Sequence, residues 1–201
     1  RQVRDLLGTD RFSEIFAYTD DADEYIREMG VEQAAQLLEN MDADDAIDIL
    51  DEVDDDVEED LVRLMTPESS RDILLIRSYE DDEIGSRMTT NFISISGDLD
   101  IKQAMKELVA QAGENDNIST IYVTVPGSKK FLGAIDLKDL IIARKDAELS
   151  SLISTAYPCA HHRETVSECL EHLREYVEDS FPVLDSEGNI LGIITAQDMV
   201  E

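Results

Sequence analysis

MDADDAIDILDE, residues 41–52, carries two patterns at once: apolar residues at helical spacing and carboxylates at Asp44 and Asp48, one helical turn apart. Stepping by twelve in either direction gives MGVEQAAQLLEN (29–40) and VDDDVEEDLVRL (53–64), then AYTDDADEYIRE (17–28) and MTPESSRDILLI (65–76). The first position is always apolar: Ala17, Met29, Met41, Val53 and Met65. The ninth and tenth are Tyr25-Ile26, Leu37-Leu38, Ile49-Leu50, Leu61-Val62 and Ile73-Leu74. Asp42, Asp54 and Thr66 stand where N-caps belong, and Pro67 follows at the first helical position, where its missing N–H costs nothing. Each unit therefore predicts about two helical turns and a tight turn. Helices this short are marginal alone and must stack on their neighbours, as a short α-superhelix. The methionines that open the units are expected in its core.

Positions four and eight of the units are the informative ones. They read Asp20/Glu24, Glu32/Gln36, Asp44/Asp48, Asp56/Asp60 and Glu68/Asp72. An acid at position four complements the helix dipole. One at position eight does not, because like charges at i,i+4 destabilise a helix by about 0.2–0.5 kcal/mol. A solvated acidic face would tolerate the repulsion; a hard divalent cation with oxygen ligands would relieve it. No EF-hand is present, since residues 42–52 lack its glycine and ligand order.

The whole chain leans the same way. Its 201 residues hold 47 acids against 17 Lys and Arg, a net charge of −30, with 42% hydrophobic residues to build a core. Residues 20–60 alone hold 19 acids and one base, Arg27. Such a surface repels phosphate backbones and anionic headgroups, which excludes nucleic acid and lipid surfaces as partners. No apolar run spans a membrane and no signal peptide is visible. Cys159 and Cys169 fit no CxxC spacing and are read as free thiols of a reducing compartment. His161 and His162 beside Cys159 match no zinc pattern. Nothing resembles a nucleophile–base motif or a phosphate loop, so no enzyme is expected. The chain opens on Arg1 and closes on Glu201 within an expected helix, as a piece of something longer would.

A second, longer repeat follows. FISISGDLDIKQAMKEL (92–108) aligns with YPCAHHRETVSECLEHL (157–173) at an offset of 65, and Gly133 and Asp139 align with Gly192 and Asp198 at an offset of 59. The difference is expected in a longer loop around Ala112–Ser119 of the first copy. Each copy reads β-α-β-β-α, with a Gly, two apolar residues, Thr or Ser, two residues, then Asp. That motif is complete in Gly192-Ile193-Ile194-Thr195-Ala196-Gln197-Asp198; in the first copy Asp136 replaces the hydroxyl residue. The pattern resembles a tandem pair of CBS domains. Preceded by the acidic helical repeat and the junction EDDEIGSRMTT (80–90), it resembles the cytosolic N-terminal portion of MgtE-family magnesium channels.

The resemblance implies an α+β chain. An all-α superhelical N domain (1–86) would precede CBS domains at 87–150 and 151–201, truncated before a connecting helix and membrane domain. It implies a Mg²⁺ sensor at the cytoplasmic face of the cell membrane, homodimeric through its CBS domains. Several Mg²⁺ ions would bridge acidic faces of the N and CBS domains in a compact, pore-closed state. Carried over by motif, the metal-binding acids are Asp44 and Asp48 of the N domain and Asp198 and Glu201 at the end of the CBS pair. Asp179, with Glu175 and Glu178, is a looser set. Gln197 stands where another acid is common. CBS pairs also take adenine nucleotides, which would place ATP at Asp139, Thr195 and Asp198; the bland reading of both aspartates is helix N-cap. The alternative function is a soluble CBS-pair module sensing an adenine nucleotide, and a third reading is an acidic scaffold with no ligand.

Overall fold

In the computed structural model, residues 26, 28–113, 115, 118–195 and 198 are described. The chain divides into two compact units, Arg1–Ser78 and Tyr79–Glu201. Among the described residues no helix is long and apolar enough to cross a membrane.

The first unit contains α1 (Val31–Leu38), α2 (Ala43–Asp51), α3 (Asp55–Leu64) and α4 (Pro67–Ile76). Their first residues follow the twelve-residue period without slippage. The N-caps are Gly30, Asp42, Asp54 and Thr66, the second position of each unit. Thr66 accepts from the Ser69 amide at 3.4 Å, and Gly30 takes φ 87°, which glycine alone adopts cheaply. α1 packs on α3 and α2 on α4, so each helix stacks against the next but one, as a superhelix requires. The core takes Leu37, Leu38, Ile49, Leu50, Leu61, Met65 and Ile73, with Met29, Met41 and Val53 packed on it. The methionines are core, as expected. Leu74, the tenth-position residue of the last unit, is 62% exposed, whereas Leu38 and Leu50 at the same position are buried. Of the unit at 17–28, only Ile26 and Glu28 lie among the described residues, and Ile26 is buried.

Two polar ties cross between helices. The carboxylate of Glu39, after α1, accepts from the Thr66 amide at the start of α4. Arg77, after α4, pairs with Asp51 of α2 and Glu58 of α3 through separate guanidinium nitrogens. Arg77 and Glu58 are three-quarters buried, so this pairing is worth more than a surface ion pair. Arg77→Ala is expected to destabilise the first unit by about 1–2 kcal/mol, leaving two acids facing each other; urea unfolding followed by circular dichroism measures it.

The second unit holds two three-stranded sheets ordered β1-β2-β3 and β4-β5-β6. The first copy runs β1 (Ser94–Ser96), α5 (Ile101–Gln111), β2 (Thr120–Thr124), β3 (Phe131–Asp136) and α6 (Leu137–Ile142). The second runs β4 (Ala160–His161), α7 (Val166–Leu173), β5 (Ser180–Leu184) and β6 (Ile190–Thr195). The helix expected after β6 falls on residues outside those described, apart from Asp198. In both copies the first strand pairs parallel and the hairpin antiparallel, with a register shift at Val123/Thr124 and at Val183/Leu184. Capping boxes open α5 (Asp100/Gln103) and α7 (Thr165/Glu168) at equivalent positions with different residues. The six extra residues of the first copy are not all loop, because α5 is 11 residues long and α7 only 8.

The copies exchange their leading segments. Thr89, ahead of the first copy, pairs with Ile193 of β6, and Ser154, ahead of the second, pairs with Ala134 of β3. The hairpin tips also join: the Phe131 amide donates to Gly188 O at 2.9 Å and the Ile190 amide to Lys129 O at 3.0 Å. Tyr122, Leu184, Ile190 and Ile193 fill the space between the sheets. The motif glycines sit where the leading segments cross. A Cβ on Gly192 would lie 2.6 Å from the Thr89 carbonyl oxygen, and one on Gly133 2.5 Å from that of Ser154.

The junction is built into the second unit as well. The Ile84 amide donates to Glu164 O, the Gly85 amide to His162 O and the Val166 amide to Asp82 O, each at 2.9 Å. Tyr79 lies over Gly85, where a Cβ would fall 2.5 Å from the ring. Its hydroxyl meets His162 Nδ1 at 2.9 Å, Arg163 stacks 5.0 Å from its ring centre, and Arg163 pairs with Glu83 at 3.0 Å. Gly85→Ala therefore forces Tyr79 off its partners. A melting temperature lower by several degrees, with the Tyr79 ring resonances shifted, is the expected result.

Candidate metal-binding acids and the ends of the paired motifs

In the first unit the candidate acids lie on α2. Asp44 is in its first turn, where the helix dipole favours it, and its Oδ1 is shut off from solvent. Asp48 follows one turn later and Asp51 three residues beyond, at the end of the same helix. Burial raises the Asp48 carboxyl above the ordinary range and the charge of Asp51 pushes it the same way. Both its surroundings and its neighbour thus disfavour its charged form. Arg77 attends to the Asp51 end. Two of the other units differ from this one: Asp60 pairs with Arg63 at 2.6 Å, and the unit at 29–40 has Gln36 at position eight.

The two motif ends of the CBS pair differ from the N-cap expectation. Asp198 Oδ2 accepts from the Thr195 amide at 2.8 Å and from the Thr195 hydroxyl at 2.7 Å, while the Asp198 amide donates back to Thr195 Oγ1 at 3.3 Å. The bonds have the reciprocal pattern of a capping box, with Thr195 in the cap's place and Asp198 as its partner. In the first copy Asp136 takes the capping role, its Oδ1 accepting from the Lys138 amide at 2.7 Å, and Asp139 is an exposed first-turn acid of α6. Asp136 replaces Thr195 because a carboxylate and a hydroxyl can each accept from the open amides of a helix start. Arg87 reaches the Asp198 carbonyl at 3.4 Å.

Glu175 and Asp179 are exposed in the segment between α7 and β5, and the Glu178 carboxylate accepts from the Val177 amide at 3.0 Å. The charges of Glu178, Asp179 and Asp136 act on Tyr157. Burial raises the Tyr157 phenol, a hydrogen bond with Thr120 opposes this, and the three negative charges add to the rise. Glu201 lies outside the described residues. His161 is exposed and His162 Nδ1 meets the Tyr79 hydroxyl; among the described residues neither joins Cys159 in a group of three metal-ligating side chains.

One grouping has no counterpart in the sequence reading. Glu164, Cys169 and His172 bring a carboxylate oxygen, a thiol and an imidazole nitrogen within 4.8 Å of one another. Cys169 and His172 are three apart on α7, and Glu164 stands just before its cap. The i,i+3 spacing was the only signal available.

Residues 1–82 match the MgtE intracellular N domain family, and residues 82–146 and 149–201 match the CBS domain family. The magnesium transporter MgtE of Enterococcus faecalis is 29% identical over 134 residues, which cover 67% of this chain and 29% of that protein. The chain thus spans less than a third of the length of this curated relative. A crystal structure of the soluble part of a magnesium transporter superposes with TM-score 0.90 at 26% identity, covering 98% of this chain and 78% of that one. The cytosolic domain of the Mg²⁺ channel MgtE in complex with ATP shares the fold at TM-score 0.85 and 23% identity, over 97% of this chain and 80% of that one.

Proposed function

This chain belongs to the MgtE family, and from that premise we propose that it is the cytosolic Mg²⁺-sensing region of a magnesium channel or transporter. It performs no catalysis. Mg²⁺ bound by acids of the N domain and the CBS pair draws the two acidic units into a compact state, and a membrane domain beyond this chain closes its pore in response. The observation that carries the reading is the Asp44–Asp48 pair on α2, where burial and the Asp51 charge both disfavour the charged form of Asp48 and a cation would offset them. Mg²⁺ uses one or two carboxylates and keeps most of its waters, so a pair one turn apart suffices to recruit it. Residues 1–90 carry a net −20 and residues 91–201 a net −10. Without cations such units repel, and a shared divalent ion reverses the sign.

On this reading Asp198, Glu201 and the Glu175/Glu178/Asp179 set supply the acids of the CBS pair. Homodimerisation through the CBS domains is supported by Ile141 and Ile142 on α6, which are 60% and 68% exposed. Millimolar Mg²⁺ is expected to raise the melting temperature by several degrees beyond a NaCl control of equal ionic strength. An equal rise in NaCl would reduce the effect to screening and remove the proposal.

A second reading, adenine nucleotide at Asp139, Thr195 and Asp198, draws on the fold shared with the ATP-bound MgtE domain. The Thr195–Asp198 box pre-positions a hydroxyl and a carboxylate together. Calorimetry with ATP, on the wild type and on Asp198→Ala, separates the readings: nucleotide binding without any Mg²⁺ response would favour the second.

A further inference from the structure

We propose that Glu164, Cys169 and His172 form a binding site for a Zn²⁺-class transition-metal ion, separate from the acids assigned to magnesium and independent of that assignment. The donors are a carboxylate oxygen, a sulfur and an imidazole nitrogen, the set that Zn²⁺ takes and Mg²⁺ does not.

The geometry is close to ready. His172 Nε2 and Glu164 Oε2 are 2.9 Å apart, and all three donor atoms fall within 4.8 Å. With Zn–N and Zn–O near 2.0–2.2 Å and Zn–S near 2.3 Å, tetrahedral donor separations are about 3.3–3.6 Å. The hydrogen-bonded pair opens slightly and the sulfur moves in by at most about 1.5 Å, within side-chain rotation. Helical spacing places Cys169 and His172 on one face of α7.

The carboxylate is held for the purpose from its other side. Glu164 Oε1 accepts from the His161 amide at 2.6 Å, leaving Oε2 turned to His172. The Glu164 backbone is fixed as well: its amide donates to His161 O at 3.1 Å and its carbonyl accepts from the Ile84 amide at 2.9 Å. Such outer contacts orient ligands in built metal sites. The fourth coordination position is open to water on the His172 side, where that ring is 44% exposed.

Charge also balances. On binding, the Cys169 proton leaves to solvent, the sulfur takes the metal, and Glu⁻ and thiolate together neutralise the dication.

Co²⁺ added to the whole chain tests the proposal, because carboxylates elsewhere give no thiolate signal. One equivalent is expected to produce a thiolate-to-cobalt charge-transfer band with tetrahedral visible bands. Zn²⁺ is expected to abolish both, and a large excess of Mg²⁺ to leave them. Cys169→Ser removes the charge-transfer band. His172→Gln, on an exposed position that leaves the fold intact, weakens affinity at least about tenfold. Cys159→Ser retains a thiolate band. Octahedral cobalt spectra without sulfur ligation, displacement by Mg²⁺, or a band that survives Cys169→Ser would each overturn the site.

Discussion

Gly192→Ala and Gly133→Ala are each expected to cost about 3 kcal/mol or more, a loss of about 10 °C in the melting of the second unit. The obstruction at each is backbone, which cannot rotate aside. The new Cβ of Gly192→Ala would meet Thr89 O at 2.6 Å and Met88 Sδ at 3.0 Å; that of Gly133→Ala would meet Ser154 O at 2.5 Å and Ile153 Cγ2 at 2.7 Å. Relief requires the leading segment to lift, breaking a reciprocal pair of hydrogen bonds: Thr89 with Ile193 at 2.9 Å both ways, Ser154 with Ala134 at 2.8 and 3.1 Å. The segments belong to opposite copies, so either substitution loosens the pair as a whole. Gly113→Ala is the control, since nothing lies within 4 Å of its added Cβ. Denaturation by urea, with hydrogen exchange at Thr89 and Ile193, measures the effect. A cost no larger than that of Gly113→Ala would contradict it.

The second large effect has two signs. Asp48→Asn is expected to stabilise the metal-free chain by about 0.2–0.5 kcal/mol, since it removes a like-charge neighbour of Asp44 at i,i+4, while erasing most of the Mg²⁺-induced rise in melting temperature. The linkage agrees. Burial and Asp51 raise the folded-state pKa of Asp48, so its ionised form disfavours the folded state at neutral pH, and protonation relieves this as pH falls below the raised value. Asp44→Asn differs in the absence of metal, because Asp44 supports the start of α2. It is expected to cost a few tenths of a kcal/mol there and also to lose the Mg²⁺ response. A substitution that stabilises the empty chain and silences its response is the signature of a site kept at the expense of stability. Thermal melts of both variants with and without Mg²⁺ decide the matter; loss of stability in Asp48→Asn without loss of response would contradict it.

Much of this was legible in the sequence because it is periodic. The starts of α1 to α4 at 31, 43, 55 and 67 follow the repeat, since each turn puts its cap at the same position. The glycines of the CBS motif were legible as a pattern but not as a cause. Their reason lies in a crossing segment about 100 residues away for Gly192, and about 20 for Gly133. The Arg77 tie to Asp51 and Glu58 was hidden for the same reason: it joins residues 26 and 19 apart through stacking that no local pattern encodes. For Asp198 the bland reading as an N-cap came close to the bonds it makes with Thr195, because a cap and its reciprocal partner are both suited by an acid. The Glu164–Cys169–His172 grouping escaped because one ligand precedes the helix that carries the other two.

The central claim is tested most directly by small-angle scattering of the chain across a Mg²⁺ titration at constant ionic strength, repeated with Asp44→Ala and Asp198→Ala. A fall in radius of gyration with millimolar Mg²⁺, diminished in both variants, is the predicted result. An unchanged radius, or the same fall in NaCl or in the variants, would contradict it.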